Sequence, residues 1–209
     1  MTQVPGKIRV DLQQVADLVR PGSRVLDVGC GDGALLAYLV AHKQVDGRGL
    51  ELSMARVRAA VTQGLSVIQG NLETDLKDYP SGAFDYAVLS QTLQATHRPR
   101  EVLEQLLRIG RRAIISFPNF AHWRIRMSIM FGGRMPVTLT LADAWYDTPN
   151  IHLCTILDFV DLCRTLNVRI EQGLALNGQG LPRGFSPLAA HANFFSEQAV
   201  FVLTRETAG

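Results

Sequence analysis

The stretch VLDVGCGDG at residues 25–33 decides the fold of this chain. An apolar strand pattern ends in Asp27, and an apolar helical pattern begins at Ala34. The alternating glycines that connect the two are Gly29, Gly31 and Gly33. Glycine permits a tight turn and lets the backbone approach a ligand closely, and the N–H groups at the start of the helix face that turn. The stretch therefore predicts a strand–turn–helix cradle for an adenosine-type ligand.

Two classes of cofactor fit this cradle. Gly29, Gly31 and Ala34 also satisfy the G-x-G-x-x-(G/A) fingerprint of dinucleotide-binding proteins, and Glu51 stands at about the distance of its downstream acid. The glycine spacing alone does not separate the two classes. The carboxylate of Asp27 favours S-adenosylmethionine, because it would repel a pyrophosphate and attract the ammonium and sulfonium groups.

Helical and strand patterns alternate along the 209 residues, with neither internal repeats nor an evident linker. Predicted strands cover residues 24–29, 47–52, 65–71, 84–91, 112–119, 168–176 and 198–205. Predicted helices cover residues 7–20, 33–42, 54–63, 99–109 and 156–166, the last with Thr155 and Asp158 spaced as a capping box. The alternation predicts one α/β domain over residues 1–209, with a Rossmann-like, doubly wound, mostly parallel sheet of seven strands. A tight connection between the last two strands would make the final strand antiparallel.

Composition limits the classes of partner and compartment. The formal net charge is +2, which predicts no nucleic-acid partner and no stable membrane association, and no apolar run is long enough to span a bilayer. The N-terminus lacks a secretion signal. The cysteines are odd in number and show no C-x-x-C spacing; they are Cys30, Cys154 and Cys163. We expect reduced thiols in a cytoplasmic protein, with no metal site.

Three motifs together resemble the class I S-adenosylmethionine-dependent methyltransferases. They are D-x-G-C-G-x-G at residues 27–33, an acid that ends the next strand, and G-N-L at residues 70–72 after the third strand. The resemblance implies that S-adenosylmethionine or S-adenosylhomocysteine lies over the carboxyl ends of the strands. The expected contacts are Asp27, Gly29, Cys30, Gly31, Gly33, Glu51, Leu52, Asn71, Leu72, Ser90 and Gln91.

Individual roles follow from the chemistry of these side chains. Glu51 can accept both ribose hydroxyls, although a solvated acid at a strand end is the alternative. Asp27 favours the cationic end of the ligand, and capping of helix 33–42 is its alternative. Asn71 stands where many relatives have an acid; it can accept from the adenine amino group and donate to a ring nitrogen. Leu72 would pack on the adenine face, and Gln91 could bond the amino-acid portion.

The sequence assigns no catalytic residue. Methyl transfer from a sulfonium depends mainly on alignment, and only an acceptor of high pKa needs a general base. The candidates for such a base are His97, His122, His152, Tyr146 and Asp143. His152 lies just before a helix in the expected lid, which makes it the best of them, but no carboxylate nearby would orient it. No serine–histidine–acid pattern, P-loop or metal-ligand cluster is present.

Residues 120–153 break the alternation and form the expected insertion. No acid occurs between Glu104 and Asp143, while this interval contains Arg108, Arg111, Arg112, Arg124, Arg126 and Arg134. A helix over residues 121–131 is apolar nearly all round and is therefore expected to be buried, in the core of this chain or against something else. The insertion could be a lid with its arginines in solvent, a docking surface, or an anion site. The residues expected to act in a lid or interface are Trp123, Arg124, Arg126, Met127, Trp145 and Tyr146.

Four further stretches closely resemble the MetW family of bacterial methionine-biosynthesis proteins. They are VLSQTLQATHRP at 88–99, ISFPNFAHWRIRM at 115–127, GRMPVT at 133–138 and WYDTPNIHLCTILDF at 145–159. The resemblance implies association with a homoserine O-acyltransferase, MetX, whose reaction this chain cannot perform because it has no nucleophile elbow. An adenosylmethionine pocket would then act as a sensor of the pathway's end product. A genuine methyltransferase acting on an unidentified small molecule is the alternative.

Overall fold

The computed structural model describes residues 8–205, which contain one seven-stranded sheet. Its strands are β1 (Arg24–Val28), β2 (Asp46–Glu51), β3 (Val67–Gln69), β4 (Phe84–Ser90), β5 (Gly110–Pro118), β6 (Val168–Leu176) and β7 (Gln198–Arg205). They lie in the order β3-β2-β1-β4-β5-β7-β6. Strand β7 runs antiparallel to both β5 and β6, and the other pairs are parallel. The predicted doubly wound, mostly parallel fold with an antiparallel last strand is confirmed.

The helices lie close to their predicted positions, except for α7, which lies in a region where no helix was predicted. They are α1 (Val10–Asp17), α2 (Ala34–Lys43), α3 (Met54–Thr62), α4 (Pro99–Ile109), α5 (Trp123–Gly132), α6 (Ile156–Thr165) and α7 (Ala192–Phe195). Helix α1 is shorter than the predicted 7–20, and residue 7 lies outside the described part of the chain. The capping box at α6 is confirmed, because Thr155 and Asp158 each accept from the other's backbone N–H.

The sheet separates two apolar clusters. Leu26 and Val28 pack with residues of α4 and α6, whereas Val25 packs with residues of α1 and α2. This division follows from the alternation of side chains along a strand. Asp27 occupies the same face of β1 as Val25 and is buried. A carboxylate thus takes a position that the pattern of the strand would give to an apolar side chain.

Strand β1 lies between β2 and β4, where the strand order reverses. From β2 the chain continues to β3 at one edge of the sheet, and from β4 it continues to β5 toward the other edge. A crevice opens at such a switch point, outside the carboxyl ends of the strands. Gly29 follows β1 and Gln91 follows β4, so both residues stand at the mouth of this crevice.

Of the two expected ways of burying helix α5, the core of residues 8–205 does not provide one. Ile125 is its one buried residue, while Met130 is 63% exposed and Phe131 is 78% exposed. No residue of α5 belongs to the apolar clusters that pack on the sheet. The helix is as apolar as the sequence predicts, but the rest of residues 8–205 leaves most of its side chains uncovered.

Within residues 8–205, no helix combines the length and the apolar character needed to cross a bilayer. In the same part of the chain, histidine, cysteine and acidic side chains form no group of three or more that could hold a metal ion.

Candidate functional site

The turn after β1 requires glycine. Gly29 has a φ of +70°, a left-handed conformation that L side chains rarely adopt. A Cβ atom at this position would stand 2.9 Å from Oγ1 of Thr92. The N–H of Gly29 donates to the carbonyl of Leu50 at 2.7 Å, which ties the turn to β2. The sequence motif thus forms the predicted cradle, with its backbone close to the chain that follows β4.

Glu51 joins this turn to the start of α3. Its Oε2 accepts from the N–H of Gly31 at 2.9 Å, and its Oε1 accepts from the N–H of Ser53 at 2.9 Å. Ser53 is the N-cap residue of α3, but its side chain makes no capping bond. A carboxylate offers about four acceptor sites, so Glu51 retains capacity for a ligand after both contacts.

A cavity of about 270 Å³, here the Glu51 cavity, opens above the ends of β1, β2 and β3. Five of the predicted ligand contacts line it: Gly29, Glu51, Leu52, Asn71 and Leu72. Of the remaining lining residues, Arg56, Glu73, Thr92, Thr96 and His97 are polar or charged, and none of them was among the predicted ligand contacts.

Asn71 is held by a local turn. Its Oδ1 accepts from the N–H of Glu73 at 2.9 Å, and its own N–H donates to Oδ2 of Asp75 at 2.8 Å. Its side-chain NH₂ makes no hydrogen bond within residues 8–205. The side chain can therefore donate to an adenine ring nitrogen, while its oxygen has one lone pair left for the amino group.

Glu73 closes one side of the Glu51 cavity. Its carboxylate accepts from the backbone N–H of His97 and from that of Arg98 at 3.2 Å, and it lies 3.1 Å from Nδ1 of His97. Burial raises the pKa of the Glu73 carboxyl, but the hydrogen bonds from His97 and Arg98 outweigh it and lower the pKa overall. The loop after β3 is thereby fastened to the start of α4.

A second cavity of about 240 Å³, here the Asp27 cavity, lies between the glycine turn, α1 and the end of β4. The predicted contacts that line it are Asp27, Gly29, Cys30, Gly31, Ser90 and Gln91. It shares Gly29, Arg56 and Thr92 with the Glu51 cavity, so the two form one crevice. The remaining predicted contact, Gly33, lines neither cavity and is the N-cap of α2, with a φ of +85°.

Asp27 is buried against this cavity, and its carboxylate accepts no hydrogen bond from residues 8–205. Burial, followed by the nearby charge of Glu51, raises the pKa of Asp27 to about 7. The alternative role as a helix cap does not hold, because no side chain caps α2 and Asp32 accepts from the N–H of Ala34 instead. An isolated buried carboxylate is costly, and a cation in the cavity would offset that cost.

Cys30 contributes an apolar wall rather than a reactive thiolate. Burial, with the charges of Asp27 and Glu51, raises the pKa of the Cys30 thiol to about 12. A nucleophilic cysteine requires a lowered pKa, so the burial of Cys30 and the carboxylates near it argue against covalent chemistry at this position.

Ser90 and Gln91 connect the crevice to β5 and β7. Ser90 Oγ and Ser116 Oγ lie 2.9 Å apart. Gln91 has a φ of +55°, and its Nε2 donates to Oε1 of Gln198 at 2.9 Å. The amide of Gln91 is therefore already engaged on one side, away from the predicted amino-acid portion of the ligand.

The other predicted residues are not part of this crevice. His152 lines neither cavity, and its Nε2 lies 3.4 Å from the carbonyl of His97. The expected lid residues, Trp123, Arg124, Arg126, Met127, Trp145 and Tyr146, also line neither cavity. Arg124 lies over the ring of Trp123, and Arg126 lies over the ring of Phe194. Trp145 is 71% exposed and Tyr146 is 70% exposed.

Comparison with known proteins identifies relatives over most of the chain. The family profile described as "Methionine biosynthesis protein MetW" matches residues 9–203. The bifunctional methionine biosynthesis protein MetXA/MetW of Rhodopirellula baltica is 37% identical over 174 residues. That match covers 79% of this chain but only 28% of the relative, so the chain spans little more than a quarter of that protein's length.

Solved structures with low sequence identity share the fold. A TehB-like SAM-dependent methyltransferase of Corynebacterium glutamicum is 19% identical, with a TM-score of 0.62 over 96% of this chain and 90% of that one. The cyclase SpnF is 17% identical, with a TM-score of 0.67 over 94% of this chain and 81% of that one. The same architecture thus occurs in proteins named for different reactions.

Proposed function

The chain belongs to the MetW family of methionine biosynthesis proteins, and from this premise we propose that it binds S-adenosylmethionine or S-adenosylhomocysteine and activates a separate homoserine O-acyltransferase of the MetX type. Buried Asp27 carries the cofactor proposal, because residues 8–205 give its carboxylate no hydrogen-bond donor and a cavity opens beside it. The ammonium and sulfonium groups of S-adenosylmethionine are cations of suitable size for that place.

The rest of the crevice supports the same ligand. In the Glu51 cavity, Glu51 retains acceptor sites for ribose hydroxyls, and Asn71 retains a donor for adenine. The shared residues Gly29 and Thr92 place this cavity next to the Asp27 cavity. An extended ligand with a polar, uncharged sugar and base at one end and positive charge at the other matches this order of groups.

The relative from Rhodopirellula baltica supports the partner proposal, since its name joins MetXA and MetW in one chain. Fusion gives two domains a high effective concentration, which replaces an association between separate chains. The chain has a surface suited to such an association in the 120–153 segment. Its exposed apolar side chains include Met130, Phe131, Trp145 and Tyr146. Large exposed apolar patches are typical of interaction sites, and the charged residues of 120–142 are all arginines, which favours an acidic partner surface; they are Arg124, Arg126 and Arg134.

The experiment measures homoserine acyl transfer by the MetX-type enzyme with and without this protein, each with and without S-adenosylmethionine. Stimulation supports activation, and a cofactor effect adds regulation through reciprocal coupling. Phe131→Glu should weaken stimulation, because it places a charge in the apolar patch. Val61→Glu is the matched control, since Val61 is also an exposed apolar residue on a helix, at 51% exposure. No stimulation under any condition would overturn the activation proposal.

Methyl transfer to a small molecule is the second candidate function. It is favoured by a further cavity that adjoins the Asp27 cavity at Gln91, where an acceptor could meet the methyl group. Formation of S-adenosylhomocysteine in the presence of candidate acceptors tests it. Because His152 lies away from the crevice, His152→Ala should leave any such activity unchanged.

A further inference from the structure

A third cavity of about 440 Å³, here the Gln198 cavity, adjoins the Asp27 cavity. Arg9 and Gln91 line both cavities, so Gln91 stands between them. The start of α1, the loop after β6 and the 139–150 stretch supply the other walls. The volume lies within the range of cavities that bind small molecules. The position, beside the cationic end of the proposed cofactor, makes it a candidate for a second ligand.

The wall between the two cavities is built from amides. The positive φ of Gln91 is uncommon for a residue other than glycine, and such conformations cluster at functional sites. The conformation is held by the N–H of Gln91, which donates to the carbonyl of Ser116 at 2.9 Å. Its side chain donates to buried Gln198, whose own Nε2 reaches the carbonyl of Asn177 at 3.4 Å. Within residues 8–205 nothing donates to Oε1 of Gln91, which is therefore open to a ligand.

The charges around the Gln198 cavity favour a cation. Arg9 and Asp11 neutralise each other, because Nε and Nη2 of Arg9 bond the carboxylate of Asp11 at 3.1 and 2.7 Å. Asp143 is exposed at the rim and makes no salt bridge with the described residues. The other polar lining side chains are neutral amides and hydroxyls: Gln91, Thr140, Thr148, Asn150, Gln179 and Gln198. The cavity thus combines one uncompensated negative charge with many neutral hydrogen-bonding groups.

We propose that the Gln198 cavity binds a small primary amine that carries further polar groups. Asp143 accepts a hydrogen bond from its ammonium, and the amides of Gln91 and Gln198 bond its hydroxyl or carbonyl groups. The choice of the first probe rests on the proposed function: L-homoserine, the amine that a homoserine O-acyltransferase consumes, is a zwitterion with an ammonium, a carboxylate and a hydroxyl group. Its N-acetyl derivative keeps the carboxylate and the hydroxyl and loses the ammonium.

The test titrates L-homoserine and N-acetyl-L-homoserine into the full-length protein, with and without S-adenosylhomocysteine, and follows binding by ligand-detected NMR. L-homoserine should bind more tightly than the N-acetyl compound. Asp143→Asn should weaken the binding of L-homoserine about two- to fivefold, as expected for loss of an ion pair at an exposed carboxylate, and should remove the preference. Asp147→Asn is the matched control, because Asp147 is exposed in the same loop but does not line the cavity.

Two results would overturn the proposal: no binding of L-homoserine to the folded protein in either state, or an unchanged preference in Asp143→Asn. Asp143 is exposed, so the variant is expected to fold. The affinity for S-adenosylmethionine and the stimulation of the acyltransferase, measured on the same samples, report separately on the proposed function. If those persist while the amine fails to bind, only the second ligand site is wrong. If the cofactor fails to bind, titration of the unloaded protein still tests the cavity.

Discussion

Asp27→Asn should stabilise the protein without ligand and weaken its binding of S-adenosylmethionine. The two effects have opposite signs because the carboxylate is buried beside an open cavity with no hydrogen-bond donor from residues 8–205. The cost of its charge falls on the ligand-free protein, whereas its benefit requires a cation. A residue with only a structural role would not separate stability from affinity in this way.

The size of the stability effect follows from the pKa of Asp27, which rises from 3.8 to about 7. That shift corresponds to about 4 kcal/mol at pH 8. The native protein holds the proton of Asp27 more tightly than the unfolded chain does. The contribution of the protonated Asp27 to the free energy of unfolding is therefore fully present below pH 3.8 and is lost as the pH rises through about 7. Between pH 5 and pH 8 the wild-type protein should lose roughly 2–3 kcal/mol relative to Asp27→Asn. The new amide also needs partners, so the net gain at pH 8 should be about 1–3 kcal/mol.

The loss of affinity follows from a hydrogen bond between a carboxylate and an ammonium, which contributes about 1.5–3 kcal/mol. The Kd for S-adenosylmethionine should therefore increase roughly 10- to 150-fold in Asp27→Asn. Below pH 7 the wild-type protein should release a proton when the ligand binds, because the cation favours the ionised carboxylate.

Thermal unfolding at pH 5 and pH 8 gives the stability difference, and calorimetric titration in buffers of different ionisation enthalpy gives both the Kd and the proton release. Asp17→Asn is the control, since Asp17 is exposed and the same charge is removed. If Asp27→Asn binds the ligand as tightly as the wild-type protein, or unfolds more easily at pH 8, the role assigned to Asp27 is wrong.

Three further substitutions test the framework around this carboxylate. Gly29→Ala should destabilise the protein by about 1–3 kcal/mol and weaken ligand binding, because a Cβ at φ +70° also meets Thr92; thermal unfolding and titration check this. Glu51→Gln should raise the Kd for S-adenosylmethionine at least tenfold and lower the free energy of unfolding. The amide has only one oxygen, so its NH₂ group would face the N–H of either Gly31 or Ser53. An unchanged Kd would exclude a ligand contact. Thr155→Ala should cost about 1 kcal/mol in denaturant unfolding through loss of the α6 cap, with ligand binding unchanged.

The sequence predicted the elements whose local chemistry agrees with their tertiary role. The turn at Gly29 needs a left-handed backbone conformation, which glycine adopts readily, and the capping box at Thr155 depends on residues three apart. Both predictions therefore needed only local sequence. Strand β3 is shorter than the predicted 65–71 because it is an edge strand that pairs only with β2.

Gln198 shows why part of the site was missed. Residues that follow parallel strands were sought at the carboxyl edge of the sheet, but Gln198 begins a strand. Because β7 is antiparallel to β5, its first residue lies opposite Pro118, at that same edge. The predicted antiparallel strand already contained this signal. The exposure of Phe131 could not be predicted for a different reason. The sequence pattern shows that a helix is apolar, but it does not show whether the same chain covers the helix.

The charge of the Gln198 cavity also bears on the choice between the two candidate functions. The fold does not decide it, because methyltransferases and the cyclase SpnF share this architecture. A methyl acceptor must present a lone pair to the sulfonium, whereas an ammonium bound to Asp143 as proposed above would have none. Apart from Asp143 itself and Asp11, which is bonded to Arg9, the described lining residues of that cavity include no side chain that would take the proton away. An amine bound there as proposed would stay protonated, which would favour a role in ligand sensing over methyl transfer to nitrogen.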